Sequence, residues 1–166
     1  MNPIKKISFI GVGNMGNPMA GHLVKKGFDV TVFDARAETA QAFVKQHGGK
    51  AAATLAEAGR GAEAVIFMVP SDKTVREVLF DGKLAAALAK GTLVIDMSSS
   101  DPRGTVAIGK DLAASGIGYV DAPVMGGVIF AKDASLDIMV GGDAALVERA
   151  MPVFNALGQK VYRAGP

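Results

Sequence analysis

Apolar residues along the 166-residue chain fall into short unbroken runs that alternate with stretches of helical spacing. The runs at 6–11, 29–33, 64–69, 92–96, 118–121 and 136–140 have strand length. The run Ala64-Val65-Ile66-Phe67-Met68-Val69 has no polar position, as a strand covered on both faces requires. Shorter strands are predicted over 50–53 and 160–162. Helical spacing predicts helices over 14–26, 37–47, 102–115 and 144–156. Shorter helical pieces follow over 55–60, from Ser71 or Asp72 to Phe80, and over 84–88. In the first helix Met15, Met19, Ala20, Leu23 and Val24 share one face, and Gly27 can cap its end. Asp101 can cap the helix whose first position is Pro102.

Regular alternation of strand and helix predicts right-handed βαβ units, and so an α/β fold with a parallel, doubly wound sheet. The length suits one domain over residues 1–166. Ligands in such sheets sit outside the carboxyl ends of the strands. Four predicted strand ends carry turn or polar signals, at 11–16, 34–36, 68–70 and 98–100, which implies one shared crevice.

Composition removes several alternatives. No apolar run approaches the roughly 18 residues of a membrane span. The chain enters its first strand at once, without a secretory leader pattern, so a cytoplasmic protein is expected. It has no cysteine and only two histidines, His22 and His47, so no metal centre is expected. His22 reads as a packed or surface residue, and His47 as a helix-end cation. The 18 basic and 16 acidic residues are interspersed, giving a net charge of +2, and there is no Trp. Nucleic acid is therefore not an expected partner.

The first strand runs into Gly11-Val12-Gly13-Asn14-Met15-Gly16, a G-x-G-x-x-G turn that opens an amphipathic helix. Gly11 permits the tight turn, Gly13 leaves room for a pyrophosphate, and Gly16 lets the helix lie close on the strand. The helix then offers free N–H groups and its positive dipole end to phosphate. Asp34 ends the second strand, 18 positions after Gly16. A carboxylate there accepts hydrogen bonds from the ribose hydroxyls of NAD and repels a 2′-phosphate. Arg36 pulls the other way, since a guanidinium can pair with that phosphate. NAD is the expected cofactor, with NADP as the lesser choice. A mere capping role for Asp34 is the weaker alternative, and a methyltransferase built on a similar glycine turn weaker still.

Two further segments sharpen this reading. The stretch from Gly11 through Asn17-Pro18-Met19-Ala20 is one part of the pattern. Asp121-Ala122-Pro123-Val124-Met125-Gly126-Gly127, followed by Ile138-Met139-Val140-Gly141-Gly142-Asp143, is the other. Together they resemble the β-hydroxyacid dehydrogenases, the group of 3-hydroxyisobutyrate dehydrogenase and tartronate semialdehyde reductase, with 6-phosphogluconate dehydrogenase a more distant cousin. The resemblance covers essentially the whole chain. It implies a Rossmann-like cofactor domain and a hydride transfer between nicotinamide and a small β-hydroxy acid; an apolar, open docking face is expected as well, which invites self-association and so a homo-oligomer. The resemblance places Gly11, Val12, Gly13, Asn14, Met15 and Gly16 at the pyrophosphate, and Asp34, Ala35 and Arg36 at the adenosine ribose. Met68, Val69, Pro70, Thr74 and Ser99 would line the nicotinamide side. Ser98 and Ser99 would sit between nicotinamide and substrate with free hydroxyls. Met125, Gly126 and Gly127 would meet the substrate carboxylate.

Three departures stand out. The family places Ser where Met125 stands, and losing a donor to a charged group costs about 1.5–3 kcal/mol, so a more apolar substrate is expected. Phe130 and Ala134 replace family glycines, so the loop 128–135 should be shaped differently. The family's catalytic Lys and nearby Asn lie on a helix beyond the position of Pro166, and no lysine here matches, so no catalytic residue is expected in this chain. Lys132 reads as a solvated surface charge. The competing reading is a stand-alone nucleotide-binding module.

Overall fold

The computed structural model describes residues 2–166. Six strands form a parallel sheet: β1 (Lys6–Ile10), β2 (Asp29–Phe33), β3 (Lys50–Ala51), β4 (Ala64–Phe67), β5 (Leu93–Asp96) and β6 (Gly118–Asp121). Their order is β3-β2-β1-β4-β5-β6. The strand order reverses beside β1, and the glycine turn follows that strand directly. Each crossover carries helix: α1 (Gly16–Lys25), α2 (Ala37–His47), α3 (Leu55–Gly59), α4 (Asp72–Arg76, running into a π-helical turn at Glu77–Asp81) and α5 (Pro102–Ala113).

Unbroken apolar strands feed two cores, one on each face of the sheet. Ile7 and Phe9 of β1 and Ile66 of β4 pack with Met19, Leu23, Phe43 and Phe154. Ile10, Val65 and Phe67 point the other way, against Leu79, Ile108 and Leu112. The alternation follows from the two-residue period of a strand. Burying each large side chain stabilises by about 1.5–3 kcal/mol, so both layers are fixed firmly against the sheet.

The sheet departs from the all-parallel expectation after β6. Three more strands follow: β7 (Val124–Met125), β8 (Leu136–Gly141) and β9 (Gly158–Gly165). β6 and β7 both pair antiparallel with β8, and β9 runs parallel to β8. Three steps forward from Asp121 to Val124 match three steps back from Gly141 to Ile138, so β6 and β7 serve one continuous ladder. The reason is chain length. A parallel return needs a crossover of a dozen or more residues, and only α6 (Gly127–Lys132) and a short turn separate β7 from β8. The sequence pattern missed both β7 and α6. It also started the first helix two residues early, since α1 begins at Gly16. The last helix, α7 (Ala144–Leu157), and its successor β9 both exceed their predicted lengths.

Candidate cofactor crevice

The glycine turn is built by close approach. Gly11 sits at φ +93°, and its N–H donates to the Phe33 carbonyl at 2.9 Å. A Cβ on Gly11 would collide with the Met68 carbonyl oxygen, and one on Gly16 with the Gly11 carbonyl oxygen. Gly13 differs: a Cβ there would meet nothing within 4 Å. The turn is closed on its protein side and open where a ligand would come, the shape a diphosphate needs.

Asp34 ties this turn to the end of β2. Its Oδ2 accepts from the Val12 N–H at 3.1 Å and its Oδ1 from the Arg36 N–H at 3.0 Å. Each carboxylate oxygen keeps further acceptor capacity for ribose hydroxyls. The N-terminal turn of α1 carries no acidic residue and no side-chain cap, so its dipole end is left for an anion.

A crevice of about 590 Å³ opens over this turn. It gathers Gly11, Gly13, Asn14, Met15, Gly16, Asp34, Ala35, Met68, Val69, Pro70 and Thr74 from three strand ends. Of the residues expected at the cofactor, Val12, Arg36 and Ser99 lie outside its lining. Val12 is almost fully buried but, like Arg36, borders the adjoining groove, and Ser99 is exposed beyond β5. That groove measures about 760 Å³, and Arg36 faces it with Thr39, Lys25 and Lys132. The two volumes share Gly13, Asn14 and Asp34. Ile10, Phe33 and Val78 also line the crevice, and the sequence reading missed them. Their signals were present: Ile10 and Phe33 end their strands, and Val78 stands one helical turn after Thr74.

The substrate-side residues lie apart from this lining. Met125, Gly126 and Gly127 are exposed at the β7–α6 junction. Gly126 adopts φ +125°, and a Cβ there would meet the Phe130 ring at 2.6 Å. Phe130 therefore packs against Gly126, while a Cβ on Gly127 would meet nothing within 4 Å. Ala134 takes a positive φ of 53°, a conformation that favours the glycine of the family pattern. Ser98 requires correction. It was expected with a hydroxyl free for substrate, but it is fully buried and its Oγ accepts from the Val69 N–H at 3.0 Å. Ser99, by contrast, is exposed.

The titratable groups divide cleanly. His22 Nε2 lies 3.0 Å from the Ala131 carbonyl and 2.8 Å from that of Lys132, so it fastens α1 to α6. His47 packs on Phe43 and meets Asn17 Oδ1 at 2.9 Å, and burial beside His22 holds its pKa below the usual histidine range. Lys132 is exposed, as expected of a surface charge. Asp96 is buried behind the crevice, and desolvation pushes its pKa up while hydrogen bonds from Ser98, Tyr119 and Ser100 pull it back. Asp121 is pushed up to about 6 by burial first and by the Asp96 charge second. It lines a separate cavity with Tyr119, Lys110 and Pro166, outside the crevice. Among the described residues, no cluster of three or more His, Cys, Asp or Glu side chains could hold a metal.

A family model described as the NAD binding domain of 6-phosphogluconate dehydrogenase matches residues 6–165. The chain belongs to that family. It is similar to an NAD-dependent L-serine dehydrogenase of Pseudomonas aeruginosa, with 40% identity over 98% of this chain and 55% of the relative. It is also similar to a 3-hydroxyisobutyrate dehydrogenase of the same organism, with 39% identity over 96% of this chain and 53% of the relative. A solved Mycobacterium tuberculosis 3-hydroxyisobutyrate dehydrogenase, determined with L-serine, superposes with a TM-score of 0.92 and 36% identity, over 98% of this chain and 55% of that one. The chain thus spans about half the length of the relatives it matches. The resemblance read from Gly11–Gly16 and from Asp121–Gly127 is the one these comparisons return, and an NAD-binding fold is its established part.

Proposed function

We propose that this chain forms the cofactor-binding part of an NAD-dependent dehydrogenase acting on small β-hydroxy acids or close analogues. The observation that carries the reading is the open space at Gly13 beside Asp34, in a turn otherwise closed by Gly11 and Gly16. The bound cofactor would supply the hydride-accepting nicotinamide. The chain's own residues bind and orient it. Backbone N–H groups of Gly13, Asn14 and Met15 hold the diphosphate, Asp34 receives the ribose hydroxyls, Ala35 flanks the adenosine, and Thr74 stands on the nicotinamide side. Met68, Val69 and Pro70 wall the nicotinamide side, and Ser99 faces the substrate. Gly126 and Gly127 would present main-chain N–H groups to the substrate, with Met125 and Phe130 lending an apolar edge. That edge favours a substrate more apolar than serine or 3-hydroxyisobutyrate, the compounds for which the relatives are named.

Asp34 supports NAD over NADP, and Arg36 keeps NADP open as the lesser cofactor. Its ion pair with Glu38 at 3.4 Å occupies the guanidinium in part. No helix among the described residues is long and apolar enough to cross a membrane, and a cytoplasmic location is proposed. A homo-oligomer is proposed because Met125, Ile129 and Phe130 are 50%, 74% and 44% exposed. Titration with NADH and NADPH, followed by reduced-nicotinamide fluorescence, tests the reading. Saturable NADH binding at least about tenfold tighter than NADPH is expected from the repulsion between Asp34 and a 2′-phosphate. Absence of saturation by either nucleotide would sink it.

A further inference from the structure

We infer that Tyr119 and Asp96 are positioning residues that set the geometry of the nicotinamide end of the crevice from behind the sheet. The inference rests on the cofactor reading above. It starts from a row of side-chain bonds that crosses three adjacent strands. The Tyr119 hydroxyl of β6 donates to Asp96 Oδ2 of β5 at 3.0 Å. Asp96 Oδ1 accepts from the Ser98 N–H at 3.0 Å, and the Ser100 hydroxyl donates to Oδ2 at 3.3 Å. Ser98 Oγ then accepts from the Val69 N–H just past β4. The row runs from Tyr119 to Val69 and ends on a residue that lines the crevice.

Main-chain pairing alone does not hold this corner. The Met97 N–H still donates to the Phe67 carbonyl at 2.9 Å, but no ladder pair of β4 and β5 lies past Phe67 and Asp96. From Val69 and Ser98 onward the two ends are joined through side chains. Asp96 and Ser98 are both fully buried, so water does not compete for these bonds. Packing keeps Tyr119 in place: its ring lies against Gly109 of α5, where an added Cβ would come within 3.2 Å of the ring. Burial and the two nearby carboxylates keep the phenol protonated, so it serves only as donor toward Asp96. The frame fixes Val69 on one side and the Ser98-Ser99 turn on the other. Those are the two edges between which the nicotinamide would sit. The adenosine half of the crevice touches none of these bonds.

The test uses Tyr119→Phe, which keeps the ring, and Ser98→Ala, which keeps the turn small. Affinities for NADH and for ADP-ribose, which lacks the nicotinamide, are measured in the intact protein. Both variants should weaken NADH binding about three- to tenfold, the loss of one buried hydrogen bond, and leave ADP-ribose within about twofold. The double variant should lose no more than the weaker-binding single, because both break one chain of bonds. Parallel loss of both ligands, or no loss of either in Tyr119→Phe, would overturn the inference. Full additivity of the two losses would overturn it too. If the unaltered protein binds neither NADH nor ADP-ribose, the cofactor reading itself fails, which is a separate outcome.

Discussion

Gly13 and Gly16 stand three positions apart, and a methyl group added to each meets opposite surroundings. At Gly16 it would run into the Gly11 carbonyl, so Gly16→Ala should destabilise the fold by roughly 2 kcal/mol or more. At Gly13 it would enter open space. Gly13→Ala should therefore change stability by less than about 0.5 kcal/mol, yet lower NADH affinity at least about tenfold by filling the diphosphate seat. Urea unfolding and fluorescence titration on the two variants check both halves. Ala134 offers the converse case. It holds φ 53°, which costs a residue with a Cβ roughly 1 kcal/mol, so Ala134→Gly should raise the unfolding free energy by about 0.5–1 kcal/mol. Residue identity made these positions legible in the sequence wherever glycine or its loss was itself the signal. Ser98 was misread for a physical reason: a hydroxyl at a strand end can face ligand or backbone, and only the neighbouring strand, with the Val69 N–H, decides which.

Elements with a strong period were readable, and those set by their neighbours were not. β4 and α5 lie where the pattern put them, because one is apolar throughout and the other opens with Asp101-Pro102. β7 is two residues long and follows a proline, and α6 begins with Gly127 behind a Gly126 cap, so neither has local support. They exist because β8 offers a ladder and because His22 of α1 grips the carbonyls at the end of α6. A pH effect belongs to this scale. The pKa of Asp121 is raised to about 6 in the folded protein, well above its unfolded value near 4, so the folded state binds more protons between those limits. Stability should be highest below pH 4 for this group, fall as pH rises to 6, and hold level above. The raised Asp96 pKa acts in the same direction. Asp121→Asn should flatten that slope and stabilise by on the order of 1 kcal/mol above pH 6. Thermal unfolding across pH 4–8 measures it, and an unchanged slope would refute the assignment.

At the scale of the whole molecule, the exposed apolar edge at Met125, Val128, Ile129 and Phe130 is the surface most in need of a partner. Sedimentation velocity should show concentration-dependent association, and Ile129→Lys should reduce it. A monodisperse monomer at high concentration would count against the proposed oligomer. The parallel half of the sheet was legible from strand–helix alternation alone. The reversed half was not, because direction depends on how few residues join β7 to β8.

That reversal has a mechanical consequence. The stretch 118–125 is shared in shifts: its first half holds hands with β5, its second with β8, and Asp121 alone grips both sides. Among the strand pairings that is the single link between the two halves of the sheet; the remaining ties run through helices, by His22 to the end of α6 and by Phe154 of α7 to the β1 side of the core. The molecule should loosen at two speeds, with amide protons of β7–β9 trading for deuterium well before those of β1, β4 and β5.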